Sequence, residues 1–307
     1  MPRKARMIIE GDTAVYHVVS RTALTGYVLG DVEKDFLISL IRHLSKVYFA
    51  EVLGFCLMGN HFHLVARMQT GDDLSDDKIR NRFELYYGKD NKKILMDGQI
   101  PSFRSKWASL SEYIKEIKQG FSRYYNRRHK RKGFFWSDRF KSVIIENGDA
   151  LLNCLAYVDL NPVRAGIAER PEDYRWSSLG YHMQAGNKVG FLSLDFGFTG
   201  KRKSKRQRLQ DYRRYVYEKG SLASSKGKEI NSDLIANEIR KDFEIGKFDR
   251  FRFRTRYFTD SGIIGSKKFV ERYYEMFRAD VDPVEKKPKA VKGLQGIYSL
   301  KRLSELI

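Results

Sequence analysis

Two histidines, His61 and His63, stand one residue apart in the apolar run NHFHLVAR. Side chains alternate between the two faces of a β-strand, so both imidazoles point to one side and lie about 6.5 to 7 Å apart. Two imidazoles at that separation can bind a single metal ion. The pair predicts part of a metal site, and the competing interpretation is a polar strand face.

A third ligand must come from elsewhere, because the sequence contains neither an H-E-x-x-H motif nor paired C-x-x-C motifs. An ion bound by two imidazoles, an amide or carboxylate oxygen and water suits Mg²⁺ or Mn²⁺ better than a closed zinc site. Such an ion polarises a phosphoryl oxygen and stabilises the charge that develops during displacement at phosphorus. We therefore expect Mg²⁺ or Mn²⁺ as the cofactor.

Tyr157 and Asn161, in the run LAYVDLNPV, are four residues apart and lie on one face of a helix. The phenol of Tyr157 can attack phosphorus and keep the cleaved strand attached as a phosphotyrosine, while Asn161 can supply a metal ligand. The competing interpretation is that Tyr157 packs in the core and Asn161 ends the helix. Rival nucleophiles are Tyr113, Tyr124 and Tyr125.

The segment from residue 123 to 141 combines many cations and aromatic residues with a single acidic residue, Asp138. Cations bind backbone phosphates, and aromatic rings stack on unpaired bases. The segment predicts contact with nucleic acid; the alternative is an exposed helix end with Phe134, Phe135 and Trp136 in the core. The residues assigned to DNA binding are Arg123, Tyr124, Tyr125, Arg127, Arg128, Lys130, Arg131, Lys132, Trp136, Arg139 and Lys141.

The composition agrees with a nucleic-acid partner. The 307 residues carry 58 Lys and Arg against 38 Asp and Glu, a formal net charge of +20, with 42% hydrophobic residues. A globular protein of this charge favours a polyanion, with an anionic membrane surface as the lesser alternative. Cys56 and Cys154 are too few for a disulfide framework, and no segment resembles a signal peptide or membrane span. We expect a reduced, cytoplasmic protein with no membrane partner.

The N-terminal half predicts the elements that position the histidines. AVYHVVSR (14 to 21) is typical of a strand, and residues 31 to 47 have the spacing of an amphipathic helix with Asp31 as its N-cap. Two strands then meet at the turn MGN, and the second carries His61 and His63. The succession strand, helix, hairpin predicts an α+β fold with a central antiparallel sheet flanked by helices.

The rest of the chain predicts further helices and a different C-terminal part. We expect an insertion at about 69–108, a helix from Ser109 to about Arg128, a strand in KGFFWSDRFKSVIIEN, and a helix that ends at Asn161 because Pro162 follows. The expected division is a catalytic domain (1–185), a basic linker (186–225), a small helical segment (226–282) and a flexible tail (283–307).

Three motifs in this order, GNHFHLVAR, YYNRRHKRKGFFWSDRFKS and LAYVDLNPVRAG, resemble those of the REP-associated tyrosine transposases, a branch of the single-tyrosine HUH transposases. The resemblance covers roughly residues 10 to 185. It implies a compact domain of the ferredoxin-like HUH nuclease fold that acts with a divalent metal on single-stranded DNA near imperfect palindromic hairpins.

The resemblance also implies roles for four residues. His61 and His63 match the HUH metal ligands, Tyr157 matches the nucleophile that forms a 5′-phosphotyrosine and frees a 3′-hydroxyl, and Asn161 falls at the third ligand position. Asn rather than Gln there is typical of the REP-associated branch, often domesticated. The family includes monomers and dimers that exchange the tyrosine helix, so a homodimer is one expectation.

The sequence supports one principal hypothesis and two rivals. The principal one is a metal-dependent transposase that nicks and rejoins single-stranded DNA near REP-like hairpins. The first rival is a DNA-binding regulator of repeated hairpins with little or no catalysis. The second is an RNA-processing phosphodiesterase, because a basic and aromatic surface does not by itself distinguish DNA from RNA.

Overall fold

The computed structural model describes residues 6–88, 92–187, 190–198, 204–221, 229–240, 262–277, 288–291 and 296–300. The strands in these ranges are β1 (Ala14–Arg21), β2 (Ala50–Leu57), β3 (His61–Met68), β4 (Lys141–Ile145), β5 (Ile263–Gly265), β6 (Lys289–Ala290) and β7 (Tyr298–Ser299). The helices are α1 (Asp31–Val47), α2 (Asp76–Tyr87), α3 (Ile100–Ala108), α4 (Leu110–Arg128), α5 (Asp149–Asp159), α6 (Asn161–Arg164), α7 (Ser178–Gln184), α8 (Lys205–Gly220), α9 (Ser232–Arg240) and α10 (Lys267–Met276). None of these helices is long and apolar enough to cross a membrane.

The first four strands form a ferredoxin-like sheet. Their order is β2-β3-β1-β4, and each neighbouring pair is antiparallel. Helix α1 connects β1 to β2, and α4 lies between β3 and β4, which gives the β-α-β-β-α-β succession of that fold. Strands β5, β7 and β6 extend the sheet beyond β4, and β5 runs parallel to β4. The predicted α+β class is confirmed, as a seven-stranded mixed sheet flanked by helices.

The two faces of the sheet have different partners. Phe62 of β3 contacts Trp136 with a ring-centroid distance of 5.3 Å, and Trp136 packs on Phe121 of α4 at 5.6 Å. Helices α1 and α4 pack against each other on this side. His63 points the opposite way, as the alternation predicts, and its face is covered by α5. The histidines therefore lie between the sheet and α5.

Local signals set the element boundaries with three exceptions. Helix α1 has the predicted bounds, but its N-cap is Gly30 and Asp31 is its first residue, so the predicted cap was wrong. Ser109 caps α4 by accepting a hydrogen bond from the Glu112 backbone N–H. The strand expected in KGFFWSDRFKSVIIEN is shorter than the pattern, because β4 begins only at Lys141.

The third exception concerns the helix that carries Tyr157. Helix α5 ends at Asp159, and Leu160 keeps a helical backbone conformation before α6 begins at Asn161. Pro162 occupies an early position of α6, where a missing backbone N–H costs no helical hydrogen bond. The chain thus turns into a second short helix instead of ending its helical course at Asn161.

The segment 69–108 and the C-terminal part add to this framework. Helices α2 and α3 lie in the segment 69–108, where α2 packs against α1 and α3 packs against α4. Helices α9 and α10 lie in the segment predicted to be helical (226–282), whereas β5 to β7 were not predicted as strands. Much of the tail, 283–287, 292–295 and 301–307, lies outside the described residues, as do residues 201–203 of the basic run. The division into domains stays a prediction.

Candidate active site

The two predicted metal ligands lie side by side at the start of β3. The ring centroids of His61 and His63 are 5.1 Å apart. Nδ1 of His61 is 2.7 Å from Asn60 Oδ1, and Nδ1 of His63 is 3.0 Å from Nε2 of His17. In each ring Nδ1 is therefore engaged by a polar neighbour, and Nε2 is the nitrogen left for a metal ion, an arrangement typical of metal-binding histidines.

Both histidines are held in the neutral form that binds metals. Burial lowers the pKa of His61 to about 4, and the positive charge of Arg21 acts in the same direction. Burial also lowers the pKa of His63 well below its usual value, and the positive charge of neighbouring groups acts in the same direction. A lone pair is thus present on each imidazole at neutral pH, as coordination requires.

Tyr157 of α5 lies against this pair within the same chain. Its ring centroid is 5.7 Å from that of His63 and 5.9 Å from that of His17, and both contacts are edge-to-face. The side chain is buried, and burial raises the pKa of Tyr157 well above its usual value. The positive charge of Arg164 and a side-chain hydrogen bond with Asn161 oppose this shift in pKa.

Asn161 presents one defined ligand atom. Its Nδ2 donates to the backbone carbonyls of Tyr157 and Val158, at 3.0 and 3.2 Å. Because carbonyls accept only from the NH₂ group, Oδ1 is the amide atom that remains for a metal. The described residues contain no group of three or more His, Cys, Asp and Glu side chains that could hold a metal. A metal at His61 and His63 would thus need an amide oxygen and water, a donor set that fits Mg²⁺ or Mn²⁺.

Three residues of the site were missed by the sequence reasoning. His17 lies at the centre of the sheet with 0% of its surface exposed and contacts both His63 and Tyr157. Arg21 pairs with His61 across the β1–β3 ladder. The guanidinium of Arg164 lies 5.5 Å from the ring centroid of Tyr157. For two of them the sequence held a clue: His17 and Arg21 are an even number of residues apart in β1, so their side chains lie on the same face of the strand.

The three rival tyrosines pack against other aromatic rings. Tyr113 is buried, with its ring centroid 5.3 Å from that of Tyr48. Tyr124 stacks on Phe36 of α1 at 3.6 Å, and Tyr125 stacks on His129 at 4.1 Å. Their positions on α4 place these rings on the helix layer away from the histidine pair.

The segment predicted to bind DNA divides into an exposed basic part and a buried aromatic part. Tyr125, Phe135 and Trp136 are buried, and Trp136 donates from Nε1 to the Lys118 carbonyl at 2.9 Å. Phe134 is 76% exposed. Tyr124 and Arg131 are half-buried. The exposed cations of the segment are Arg123, Arg127, Arg128, Lys130, Lys132, Arg139 and Lys141.

Backbone hydrogen bonds fasten this segment to the strand end beside His61. The Ser137 N–H donates to the Arg21 carbonyl at 3.0 Å, and the Ala23 N–H donates to the Phe135 carbonyl at 2.8 Å. Lys141 pairs with Val19, which also pairs with His63 on the other side of β1. Basic side chains therefore flank the histidine pair at this edge.

A cleft of about 660 Å³ opens beside the exposed ring of Phe134. Its cationic lining includes Arg6, Lys118 and Arg139. Burial, together with repulsion from Arg6, lowers the pKa of Lys118 to about 8. Glu112 and Asp138 also line the cleft, so its charges are mixed, and an anion beside Lys118 and Arg6 would relieve their repulsion.

Comparison with curated proteins finds a protein of Haemophilus influenzae that carries the name REP-associated tyrosine transposase. The two are 26% identical over 159 residues, which make up 50% of this chain and 76% of the relative. This chain resembles a REP-associated tyrosine transposase. The resemblance inferred from the three motifs is confirmed by this relative.

The other two comparisons differ in outcome. No family model matches the sequence. Among solved structures, a REP-associated tyrosine transposase bound to a REP hairpin aligns with a TM-score of 0.41 and 16% identity, over 66% of this chain and 94% of that chain.

Proposed function

We propose that the protein is a metal-dependent DNA strand transferase that nicks and rejoins single-stranded DNA near REP-like hairpins. The observation that carries the proposal is the position of Tyr157, whose ring lies 5.7 Å from His63 beside the His61–His63 pair of the same chain. A phenol beside a pair of histidines that can bind a metal is placed to attack a phosphoryl group that such a metal would polarise. In this proposal a single chain supplies every group of the site.

The reaction we propose conserves the phosphodiester bond. Tyr157 Oη attacks phosphorus, loses its proton and forms a phosphotyrosine ester to the 5′ end, while the P–O3′ bond breaks and the 3′-oxygen gains a proton. In the reverse direction a 3′-hydroxyl attacks the ester, restores the phosphodiester and releases the phenol. A bound Mg²⁺ or Mn²⁺ supplies Lewis acidity to a phosphoryl oxygen. Nε2 of His61, Nε2 of His63 and Oδ1 of Asn161 would hold it.

The chain's own cations assist this chemistry in the proposal. Arg164 lies over the ring of Tyr157 and favours its ionised form. Arg21 and Lys141 lie on strand positions that flank the histidines, where they can bind the phosphates on either side of the cleaved bond. The exposed cations at the end of α4 extend this surface and would bind the hairpin backbone.

A covalent-adduct assay tests the proposal. Labelled single-stranded hairpin DNA from the sequence flanking the gene is incubated with Mn²⁺ and the protein, and the adduct is resolved by denaturing electrophoresis. Wild-type protein should form the adduct, and Tyr157→Phe should abolish it while hairpin binding persists. Tyr124→Phe is the matched control and should form adduct as wild type does. Tyr157 would be excluded as the nucleophile if the Tyr157→Phe variant still formed the adduct. It would also be excluded if Tyr124→Phe lost the adduct while Tyr157→Phe kept it.

One observation favours the second candidate function, a hairpin-binding regulator with little catalysis. Tyr157 is only 4% exposed and its pKa is raised by burial, so the phenol must be uncovered before it can reach a phosphate. A regulator would bind the hairpin tightly and form no adduct at any Mn²⁺ concentration. The same assay, read together with a binding titration, separates the two functions.

A further inference from the structure

His17 occupies a position in the site that the proposed chemistry has not used. It lies on β1 next to β3, fully buried, and its ring is nearly coplanar with that of His63, with centroids 5.2 Å apart and planes inclined by 8°. Its Nε2 is 3.0 Å from Nδ1 of His63. The same ring meets Tyr157 edge-on at 5.9 Å. One imidazole thus contacts both a metal ligand and the nucleophile.

The hydrogen bond between the two rings has only one direction compatible with a metal on His63 Nε2. A neutral imidazole carries one N–H and one lone pair. If His63 offers the lone pair of Nε2, its proton must be on Nδ1, and Nδ1–H must then donate to Nε2 of His17. His17 in turn must keep its own proton on Nδ1.

Burial makes His17 the hydrogen-bond partner that fixes the tautomer of His63. His63 is only 3% exposed, so the hydrogen-bond partner of its Nδ1 is His17 and not solvent. A buried ring nitrogen cannot exchange its partner for bulk water. The two rings are nearly coplanar and meet edge to edge, so His63 cannot rotate about its side chain without breaking the hydrogen bond to His17.

We propose that His17 is a positioning residue: it accepts a hydrogen bond from Nδ1–H of His63 and so holds His63 in the tautomer and orientation that present Nε2 to the metal. The inference rests on the metal site of the proposed function and goes beyond it by assigning the residue that orders one ligand. Through its edge contact with Tyr157, the same ring sets the spacing between ligand and nucleophile.

The first test is made without metal on the wild-type protein, and variants are needed only to assign the NMR signals to individual histidines. Long-range ¹H–¹⁵N spectra of full-length, histidine-labelled protein report which nitrogen of each ring carries the proton. With EDTA at neutral pH, His63 and His17 should both be in the Nδ1–H form. A proton on Nε2 of His63 would overturn the inference directly, because the hydrogen bond would then run from His17 to His63.

The second test measures Mn²⁺ affinity by electron paramagnetic resonance on the full chain. His17→Phe keeps a flat ring but removes the acceptor, and we expect Mn²⁺ affinity to fall roughly 10- to 100-fold. His17→Gln restores an acceptor oxygen near the position of Nε2 and should recover most of the affinity. His43→Gln, on α1, is the matched control and should bind as wild type does. Circular dichroism confirms that each variant is folded.

The outcomes separate this inference from the proposed function. If wild type binds Mn²⁺ and His17→Phe binds within about threefold of it, His17 is only a core residue and the inference fails. If wild type binds no Mn²⁺, the metal site of the proposed function fails, and the tautomer measurement still decides the direction of the hydrogen bond. If His17→Phe does not fold, the spectra of wild type and His17→Gln carry the test.

Discussion

The carboxyl group of Asp159, at the end of α5, should give the protein an unusual pH dependence of stability. The side chain is fully buried, and it accepts hydrogen bonds from Ser178 Oγ at 2.8 Å, the Leu179 N–H at 2.9 Å and Tyr212 Oη at 2.5 Å. Burial raises its pKa to about 6 although these donors act to lower it. The substitution that tests this is Asp159→Asn, which keeps the size of the side chain and an acceptor oxygen.

The magnitude follows from the difference in pKa between the two states. The unfolded carboxyl releases its proton near 3.8 and the folded one near 6, a shift of roughly two units. One unit corresponds to about 1.4 kcal/mol, so the shift is worth ~3 kcal/mol. Between these values the folded state binds more protons, and the free energy of unfolding therefore falls as pH rises. At pH 7 the buried, ionised carboxylate lowers the free energy of unfolding of wild type by this full amount, whereas below about pH 4 the carboxyl is protonated and has no such effect.

The assay is urea unfolding, followed by tryptophan fluorescence, of wild type and Asp159→Asn at several pH values from 4 to 7 with EDTA present. The free energy of unfolding of Asp159→Asn relative to wild type should rise by ~3 kcal/mol over this range. Two parallel pH profiles would refute the reasoning, because they would show that Asp159 titrates alike in both states.

Asp195→Asn is the control with the opposite sign. Burial acts to raise the pKa of Asp195, but hydrogen bonds from Arg67 and the Gly197 N–H outweigh it and leave the pKa below its usual value. Arg67 Nη2 is 2.7 Å from Asp195 Oδ2. The carboxylate therefore stabilises the fold above the unfolded pKa, and this contribution is lost as pH falls. Asp195→Asn should be destabilised most at pH 7.

Three further predictions concern the packing of α5 and the DNA surface. Gly54→Ala would place a methyl group 2.6 Å from Leu155 Cδ2, so it should push α5 from the sheet, cost about 1–3 kcal/mol in urea unfolding and slow adduct formation. Phe134→Ala should leave stability unchanged, because the ring is exposed, and weaken single-stranded DNA binding by about 1–3 kcal/mol in a fluorescence titration. Replacing Arg127 and Lys132 with Ala should lower the slope of log affinity against log salt by about 0.9 for each DNA phosphate that the variant no longer neutralises.

Each of these has a matched control. Gly98→Ala adds a methyl group with nothing within 4 Å and should change neither stability nor adduct formation. Lys205→Ala and Arg206→Ala remove exposed charge from α8 and should leave the salt slope unchanged if the hairpin lies on α4. An unchanged affinity for Phe134→Ala would show that no base stacks on that ring.

The candidate site was predictable where its signal is local. Alternation along a strand placed His61 and His63 on one face, and four-residue spacing placed Asn161 one helical turn after Tyr157. His17 was missed because its partner is 46 residues away along the chain, and nothing in AVYHVVSR indicates which strand will lie beside it. Long-range pairing is a property of the folded sheet and leaves no local trace.

The aromatic residues near the DNA surface show the same limit. The run GFFWSD does not reveal that Phe134 faces solvent while Phe135 and Trp136 face the core, because the segment is a loop without a fixed period. Strands β5 to β7 have two or three residues each, too few for any alternation to show. Strands β1 to β3, by contrast, are long enough to recognise from the sequence, although the order in which they pair is not.

The parallel pairing of β5 with β4 has a consequence for aggregation. In a ferredoxin-like sheet β4 would be an edge, with its outward backbone groups open to any passing strand. Here the Ile144 N–H donates to the Gly262 carbonyl at 2.9 Å, and the Glu146 N–H donates to the Ile264 carbonyl at 3.0 Å. The C-terminal part thus covers the edge of β4. A chain shortened before residue 262 would leave the backbone hydrogen-bonding groups of this edge unpaired, and we expect such a chain to self-associate.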